Sequence, residues 1–213
     1  MTELIVIRHG ETDWNRQQRF QGQIDVPLNA QGHAQAAALA ERRAADAALQ
    51  ADVFISSDLQ RARQTAAPLG QAWQREPQLM AGLREQGFGD WEGLDAPTIR
   101  ERWPELWPRW LEHRADEAAP GGETPRQFHT RVLAAMREIV EAAGPAARVL
   151  VITHGGVLDM LWRTAHGEPL DGLRRCDIPN TGINRLRWVR GTIEIDSWAD
   201  ASHLEGLPPP LRP

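Results

Sequence analysis

The sequence predicts a three-layer α/β domain, in which a mostly parallel sheet is flanked by helices and carries a helical cap insertion. Apolar strand-like runs alternate with helix-like segments along most of the 213 residues, which is typical of a parallel sheet covered on both faces. The alternation stops between residues 87 and 122, where the cap is predicted. A chain of this length buries one substantial core. We therefore predict a single domain over residues 1–202 and a proline-rich, poorly ordered tail over residues 203–213.

Five short apolar runs predict the strands of this sheet. Leu4–Ile7 is apolar without interruption, as expected of a parallel strand that is buried on both faces. Residues 189–191 indicate a tight turn between the last two runs, which adds an antiparallel hairpin at one edge. The predicted strands are residues 3–7, 53–56, 149–153, 183–188 and 192–198.

Four helices are predicted between the strands. Residues 32–49 are rich in alanine, the strongest helix former. Thr124 and Pro125 suit the N-cap and the first turn of a helix, and Gly144 marks its end. We expect Pro68 to kink or end the helix in which it lies. The predicted helices are residues 32–49, 59–73, 124–143 and 156–166.

The predicted cap combines four prolines with four tryptophans, which indicates irregular helical structure. Trp103, Trp107 and Trp110 crowd into its middle. One interpretation is that these rings only hold the cap onto the domain. The other is that one or two of them, with Phe88 and Trp91, form an apolar rim over a binding site and favour a ring-bearing leaving group.

The composition excludes several classes of protein. The formal net charge is −5 at pH 7, and no basic block suits nucleic acid or a membrane surface. No apolar stretch is long enough to span a bilayer, and the first residues lack the pattern of a secretion signal. Cys176 is the only cysteine, which excludes an internal disulfide and a cysteine metal cluster. We therefore expect a cytoplasmic protein that binds neither nucleic acid nor membrane.

Two histidines follow predicted parallel strands directly. Arg8 and His9 come after the first strand, at the edge where open α/β sheets bind ligands. A guanidinium recognises phosphate with paired hydrogen bonds, and an imidazole acts as a nucleophile or base near neutral pH. His154 follows the third strand, and Gly155 opens a helix whose N-terminus favours an anion. These features predict one site built from both ends of the chain.

Two further segments supply candidate side chains. Ser57 or Asp58 suits the N-cap of the helix that carries Arg61 in its first turn, which places this guanidinium at the same edge of the sheet. Arg63 faces elsewhere on that helix and is expected in solvent or in an ion pair. Glu85 lies among apolar and glycine residues, a setting in which a carboxyl group can act as a general acid. Taken alone, the same residue is equally compatible with an ordinary surface glutamate.

Taken in order along the chain, these residues resemble the motifs of the histidine phosphatase superfamily, the phosphoglycerate-mutase-like family. The resemblance runs from Leu4 to about Trp198 and implies the phosphoglycerate-mutase-like fold. The motifs that carry it are Arg8-His9-Gly10-Glu11-Thr12, Asn15, Phe20-Gln21-Gly22, Asp25-Val26-Pro27-Leu28-Asn29, Gly32, Ser56-Ser57-Asp58-Leu59-Gln60-Arg61-Ala62, Glu85, Phe88-Gly89, Gly121-Gly122-Glu123 and Thr153-His154-Gly155-Gly156.

The resemblance implies a role for each candidate residue. His9 takes the phosphoryl group, and Glu85 protonates the leaving oxygen and later activates water. Arg8, Arg61 and His154 bind the phosphate oxygens and stabilise charge during the transfer. These cations can fill the role that metal ions often play in phosphoryl transfer, so no metal or other cofactor is expected. The remaining residues that the resemblance assigns to phosphate binding are Asn15, Gln21, Gly22 and Gly155.

The proposed nucleophile has to be neutral although it lies among cations. Those cations disfavour the imidazolium, so we expect the pKa of His9 to fall. A hydrogen bond from its other ring nitrogen would fix the tautomer. Glu11 and Thr12 are expected to serve the turn after the first strand, and Glu123 is expected to act at the start of the helix over residues 124–143.

The resemblance covers two kinds of enzyme, because mutases return the phosphoryl group to the substrate and phosphatases release it to water. The mutases carry a longer segment after the acid glutamate, with a tyrosine, a lysine and paired arginines. This chain has no tyrosine, and residues 86–94 follow the short form of the phosphatase branch. We therefore predict a metal-independent phosphatase, monomeric or homodimeric, that acts on small phosphate monoesters. A phosphoglycerate-mutase-type isomerase and a non-catalytic phosphate-ligand binder are the alternatives.

Overall fold

A six-stranded sheet forms the centre of the protein in the computed structural model, which describes residues 1–208. Its strands are β1 (Thr2–Arg8), β2 (Val53–Ser56), β3 (Gln78–Leu79), β4 (Arg148–Thr153), β5 (Ile183–Val189) and β6 (Thr192–Asp200). They lie in the order β3-β2-β4-β1-β5-β6, with the first four parallel and β5 and β6 antiparallel to their neighbours. The predicted α/β class with a mostly parallel sheet is confirmed.

The five predicted strands are present, and their ends differ from the prediction by at most two residues. β3 was not predicted. It is only two residues long and both of its residues are exposed, so its sequence has no apolar run to signal it. Its pairing with β2 extends the parallel part of the sheet.

Seven α-helices lie within the described residues. They are α1 (Asp13–Arg16), α2 (Ala30–Ala45), α3 (Gln60–Trp73), α4 (Ala96–Arg102), α5 (Leu106–Trp110), α6 (Pro125–Ala143) and α7 (Gly155–His166). The predicted helices correspond to α2, α3, α6 and α7, although α2 ends at Ala45 and a separate 3-10 turn covers Ala47–Leu49. None of these helices has both the length and the apolar character needed to cross a membrane.

Helices cover both faces of the sheet. Side chains alternate along β1, so Val6 packs with α6 and α7 on one face, whereas Ile5 packs with α2 and α3 on the other. Phe128 of α6 and Leu69 of α3 are fully buried in these two cores. The predicted three-layer arrangement therefore follows from apolar residues on both faces of the same strands.

Pro68 lies inside α3 without ending it, because Ala66 and Leu69 on either side of it are buried against the sheet and this packing offsets the lost backbone hydrogen bond. The alternative, a kink at Pro68, stays a prediction. The predicted cap of α3 is wrong. Neither Ser57 nor Asp58 caps the helix. The N–H of Gln60 instead donates to the carboxylate of Asp25, which reaches over from a distant loop.

Both ends of α6 agree with the sequence. The Thr124 hydroxyl accepts from the N–H of Gln127 at 3.1 Å, and the two residues form a reciprocal capping box of the kind that stabilises helix starts. Pro125 occupies the first turn, and Gly144 ends the helix with a φ of 80°. This left-handed backbone explains why glycine suits the position.

The cap has a small core of its own around the buried side chain of Trp91. The rings of Trp103, Trp107 and Trp110 have centroids 6.2, 5.9 and 5.2 Å from the Trp91 ring. Trp103 and Trp107 therefore contribute to the packing of the cap, which is the first of the two interpretations given above.

The start of the C-terminal tail is packed against the domain. His203 Nε2 lies 3.1 Å from Thr181 Oγ1, and Gln31 on α2 donates to the carbonyl of Pro208 at 2.8 Å. Residues 203–208 thus contact the domain, and the poor order expected of the tail stays a prediction. Residues 209–213 lie outside the described part of the chain.

Candidate active site

The candidate site lies at the carboxyl ends of three neighbouring parallel strands. Arg8 is in register with Thr153, and the N–H of His9 donates to the Thr153 carbonyl at 2.8 Å. His154 follows Thr153, so the two histidine rings have centroids only 5.1 Å apart. Ser57 joins them from the end of β2, where its N–H is bonded to β4. Parallel pairing thus unites residues from both ends of the chain, as predicted.

His9 is held in a single tautomer. Its Nδ1 lies 2.7 Å from the carbonyl oxygen of Gly10, and because a carbonyl only accepts, Nδ1 carries the proton and Nε2 carries the free electron pair. Burial lowers the pKa of His9 well below its usual value, and the cations of Arg61 and Arg8 lower it further. His9 is therefore neutral near pH 7 and has a free nucleophilic nitrogen, as the sequence predicts.

Arg8 presents an unused donor to the site. Its Nη1 donates to the carbonyl of Ile178 at 2.7 Å, whereas its buried Nε has no partner. Burial lowers the pKa of Arg8 to about 10, with a further contribution from the nearby cation of Arg174. The guanidinium is thus still charged near pH 7. An anion in the site would satisfy the unpaired N–H, which otherwise costs free energy.

Arg61 is fully buried and links three parts of the site. Its Nη2 donates to the carbonyl of Gly22 at 2.7 Å, its Nη1 to the carbonyl of Ile24 at 2.9 Å, and its Nε to His154 Nδ1 at 3.2 Å. Burial lowers the pKa of Arg61 to about 10, so it too is a cation near pH 7. Its fixed guanidinium orients both the loop at Gly22 and the second histidine.

The hydrogen bond from Arg61 also sets the tautomer of His154. Because Nδ1 accepts, Nε2 carries the proton, and it donates to the hydroxyl of Ser57 at 2.7 Å. Burial lowers the pKa of His154 well below its usual value, with Arg61 as the next cause. The predicted direct contact of His154 with phosphate stays a prediction, since Nε2 is bonded to Ser57 in this structure. Sequence reasoning assigned Ser57 only to a helix cap and missed this link.

Glu85 is held at the N-terminus of α7. Its carboxylate accepts from the N–H of Gly156 at 3.0 and 3.1 Å and from the N–H of Gln86 at 2.9 Å. A Cβ atom at Gly156 would lie only 2.1 Å from Glu85 Oε1. Glycine is therefore required at this position for the carboxyl group to occupy its place.

An ion pair behind the site supports the backbone around Glu85. Arg131 on α6 donates to the carbonyls of Gly82, Arg84 and Glu85 at 3.0 Å each. It also pairs with Glu123 at 2.7 Å. The prediction that Glu123 serves the start of α6 is wrong, because this carboxylate reaches sideways to Arg131 and to the segment after Glu85.

The pKa of the Glu123 carboxyl group is lowered by its surroundings. Burial alone would raise the pKa of Glu123, but hydrogen bonds from Arg131 and from the N–H of Gly87 lower it overall. Glu123 therefore remains an anion and keeps the segment after Glu85 attached to α6.

A cavity of about 310 Å³ opens between the strand ends and the cap. The Thr12 hydroxyl shares its one hydrogen between the amide oxygens of Asn15 and Gln21, which lie 3.1 and 3.0 Å from Oγ1. The amide nitrogens of both side chains are left without a hydrogen-bond acceptor among residues 1–208, and they are available to an anion. The predicted site residues that line the cavity are Arg8, His9, Asn15, Gln21, Gly22, Arg61 and Glu85.

Two predicted site residues lie just behind the cavity wall. His154 is bonded to Arg61, which lines the cavity, and a Cβ atom at Gly155 would lie 3.5 Å from Arg8 Nε. Gly155 therefore borders the unpaired nitrogen of Arg8.

The aromatic part of the cavity wall comes from Trp14, Phe20 and Phe88. Phe88 belongs to the predicted apolar rim, whereas Trp14 was not predicted to line the site. Trp103 and Trp107 pack inside the cap and do not line this cavity. Arg174 lines the cavity from the loop between α7 and β5, and no motif in the sequence identifies it.

No cluster of three or more His, Cys, Asp or Glu side chains suited to a metal ion occurs within residues 1–208. Arg63, which was expected in solvent or in an ion pair, is about half exposed and lies 3.8 Å from the carboxylate of Asp25. It takes no part in the cavity.

The chain is similar over nearly its whole length to known mutase-like proteins and phosphatases. The probable phosphoglycerate mutase GpmB of Salmonella paratyphi C is 34% identical over 211 residues, which are 96% of this chain and 96% of that protein. The metal-independent phosphoserine phosphatase of Arabidopsis thaliana is 33% identical over 210 residues, 97% of this chain and 85% of that protein. The solved mycobacterial glucosyl-3-phosphoglycerate phosphatase is 31% identical, with a TM-score of 0.78 over 92% of this chain and 98% of its own.

The relatives include both phosphatases and mutase-like proteins, and the family model that matches this chain spans residues 4–201. Neutral His9, the buried arginines and the glutamate at the helix start agree with that match. The chain is a member of the histidine phosphatase superfamily, branch 1.

Proposed function

We propose that the protein is a phosphomonoesterase that hydrolyses small phosphate esters through a phosphohistidine on His9. The observation that carries this proposal is the pairing of a neutral His9, with its free Nε2, and an unpaired buried donor on Arg8 in one cavity. A nucleophile beside a vacant cationic donor is the arrangement that phosphoryl transfer requires. The volume of about 310 Å³ suits a small-molecule ester.

The substrate phosphate would bind between the two buried guanidinium groups. Arg8 would donate through its free Nε, and the amide nitrogens of Asn15 and Gln21 would add hydrogen bonds. Arg61 would contribute its charge from the cavity wall. Three side chains thus act as donors fixed in advance, so that little reorganisation accompanies the transfer.

The first chemical step would transfer the phosphoryl group to the enzyme. His9 Nε2 attacks phosphorus, the bond from phosphorus to the ester oxygen breaks, and Glu85 gives its proton to the leaving oxygen. The imidazole that results carries phosphate on Nε2 and keeps its Nδ1 proton on the carbonyl of Gly10. That hydrogen bond stabilises the positive charge on the ring during attack.

The second step would release phosphate to water. Glu85, now ionised, takes a proton from water, the oxygen of that water attacks phosphorus, and the bond from phosphorus to His9 breaks. Glu85 ends the cycle protonated and His9 ends it neutral. The same carboxyl group therefore serves first as acid and then as base.

The test is phosphate release from p-nitrophenyl phosphate in excess chelator. We expect turnover by the wild type, loss of at least about a thousandfold in His9→Ala, and no change in His33→Ala, which removes an exposed histidine remote from the site. Activity that survives in His9→Ala would overturn the mechanism. Loss of activity in chelator would do the same.

A mutase is the second candidate, since the relatives include phosphoglycerate-mutase-like proteins. It is tested by supplying 3-phosphoglycerate with a bisphosphoglycerate primer. Free phosphate as the main product supports the phosphatase, and 2-phosphoglycerate as the main product supports the mutase. A protein that binds phosphate but yields neither product would be the non-catalytic binder.

A further inference from the structure

Arg174 stands at the junction of two cavities. It lines the active-site cavity and also a neighbouring cavity of about 300 Å³ between the cap and α7. Phe88 is shared by both cavities, and Trp110 and Met160 line only the second. An ester bound in the active-site cavity would therefore pass Arg174 if its alcohol portion extended into the second cavity.

Arg174 adds a second positive charge close to Arg8. A Cβ atom at Gly155 would lie 3.5 Å from Arg8 Nε and 3.8 Å from Arg174 Nη1, so the two guanidinium groups flank the same glycine. After burial, the charge of Arg174 is the largest cause of the lowered pKa of Arg8. Two neighbouring cations repel one another, and a bound anion beside them would offset that repulsion.

The charge of Arg174 is only weakly compensated. Its nearest carboxylate is Asp159, whose Oδ1 lies 3.8 Å from Arg174 Nε. Asp159 already accepts from Arg163 at 3.1 Å. Within residues 1–208, no hydrogen-bond acceptor contacts the Arg174 guanidinium, whereas the neighbouring Arg175 is paired with Glu168 at 2.7 Å.

The backbone next to Arg174 is anchored at the cavity. Buried Arg163 donates to the carbonyls of Asp171, Gly172 and Leu173 at 3.1, 2.8 and 3.0 Å. The loop is also attached to the cap, because the Asp171 carboxylate accepts from the N–H of Ala115 at 2.7 Å. Recognition by Arg174 therefore has to order a side chain but not its loop.

We propose that Arg174 determines substrate specificity by binding a second anionic group on the alcohol portion of the ester. The substrate class would be phosphate monoesters that carry a carboxylate or another phosphate near the ester oxygen. The transferred phosphate is already served by Arg8, Arg61 and two amides, whereas Arg174 is about half exposed and also lines the second cavity. This inference rests on the proposed phosphatase function.

The test compares substrates that differ in one charged group. 3-Phosphoglycerate and glycerol 3-phosphate differ only in a carboxylate against a hydroxymethyl group, and fructose 1,6-bisphosphate and fructose 6-phosphate differ in a second phosphate. The variants are Arg174→Gln and the matched control Arg175→Gln, with thermal unfolding as a check of the fold. The readout is kcat/KM from phosphate release.

In at least one pair, we expect the kcat/KM of the wild type to be about tenfold or more higher for the substrate with the additional anionic group. One hydrogen bond between charged groups contributes a factor of this size. Arg174→Gln should abolish that preference and leave the neutral member within about twofold, whereas Arg175→Gln should leave both unchanged. The pair that shows the preference identifies carboxylate or phosphate as the second anion.

Three results would overturn the inference while leaving the phosphatase intact. They are equal kcat/KM for both members of both pairs in the wild type, no effect of Arg174→Gln, and an equal loss on charged and neutral substrates. The last would assign Arg174 to the transferred phosphate instead. By contrast, no phosphate release from any ester, p-nitrophenyl phosphate included, would refute the proposed function itself.

Discussion

Replacing Gly156 by alanine would displace the Glu85 carboxyl group while the domain stays folded. The new Cβ would lie 2.1 Å from Glu85 Oε1 and 2.9 Å from a ring carbon of Phe128. The Phe128 ring is fully buried, so the flexible Glu85 side chain has to move, by about 1 Å to reach a normal contact distance. A shift of that size in a catalytic group costs about a hundredfold in rate, or about 2.7 kcal/mol in the barrier.

The assay uses two substrates whose leaving groups differ in how much they need a proton from Glu85. Glycerol 3-phosphate has a poor leaving group that needs its proton from Glu85, whereas p-nitrophenolate leaves with little help. We expect Gly156→Ala to lower kcat/KM about a hundredfold for the alkyl ester and less than about tenfold for the aryl ester. Gly87→Ala is the control, because a Cβ there meets no atom closer than 3.6 Å.

Two outcomes would refute this reasoning. Wild-type kcat/KM on both esters would mean that Gly156 does not position Glu85. Equal losses on both esters would mean that the substitution harms phosphate binding and not protonation of the leaving group. Glu85→Gln should reproduce the selective loss on the alkyl ester.

Three further predictions concern the charged core of the site. Because the pKa of His9 is lowered well below 6.5, kcat/KM for an aryl phosphate should stay constant as pH falls through 6.5 and decline only at lower pH. A decline centred near pH 6.5 would contradict the lowered pKa. The pKa values of His9 and His154 are both lower in the folded state than in the unfolded chain, so the unfolded chain binds protons first and stability is lost as pH falls below about 6.5. The slope should reach at most about 1.4 kcal/mol per pH unit for each histidine, measured by urea unfolding, and a flat profile would contradict it. Arg61→Lys keeps one charge but loses at least two of three hydrogen bonds, so the free energy of unfolding should fall by about 2 kcal/mol. An unchanged urea midpoint would show that the hydrogen bonds of the Arg61 guanidinium do not stabilise the fold.

Most of the sheet and the residues at its edge could be predicted from the sequence, because both depend on local patterns. Uninterrupted apolar runs marked β1 and β4, and parallel pairing then required the residues that follow them to meet. His9 and His154 came together for that reason. The ends of α6 were predictable because a capping box and a terminal glycine are short-range signals.

The features that escaped prediction depend on contacts between distant parts of the chain. Asp25 replaces the expected local cap of α3, and the Glu123 carboxylate pairs with Arg131 on α6 and with the N–H of Gly87 in place of the first turn of the helix. Arg174 has no recognisable motif, since its place follows from the carbonyl contacts of Arg163. The steric need for glycine at position 156 becomes visible only when Glu85 is seen against the start of α7.

The central claim is that His9 carries the phosphoryl group. It is tested most directly by mixing the protein with a ³²P-labelled phosphate monoester, quenching in alkali, in which phosphohistidine survives and most acyl phosphates do not, and mapping the label by mass spectrometry. We predict one phosphoryl group on the peptide that contains His9, at Nε2, and none in His9→Ala. Label on another residue, or full turnover with no labelled protein after rapid quenching, would contradict the account.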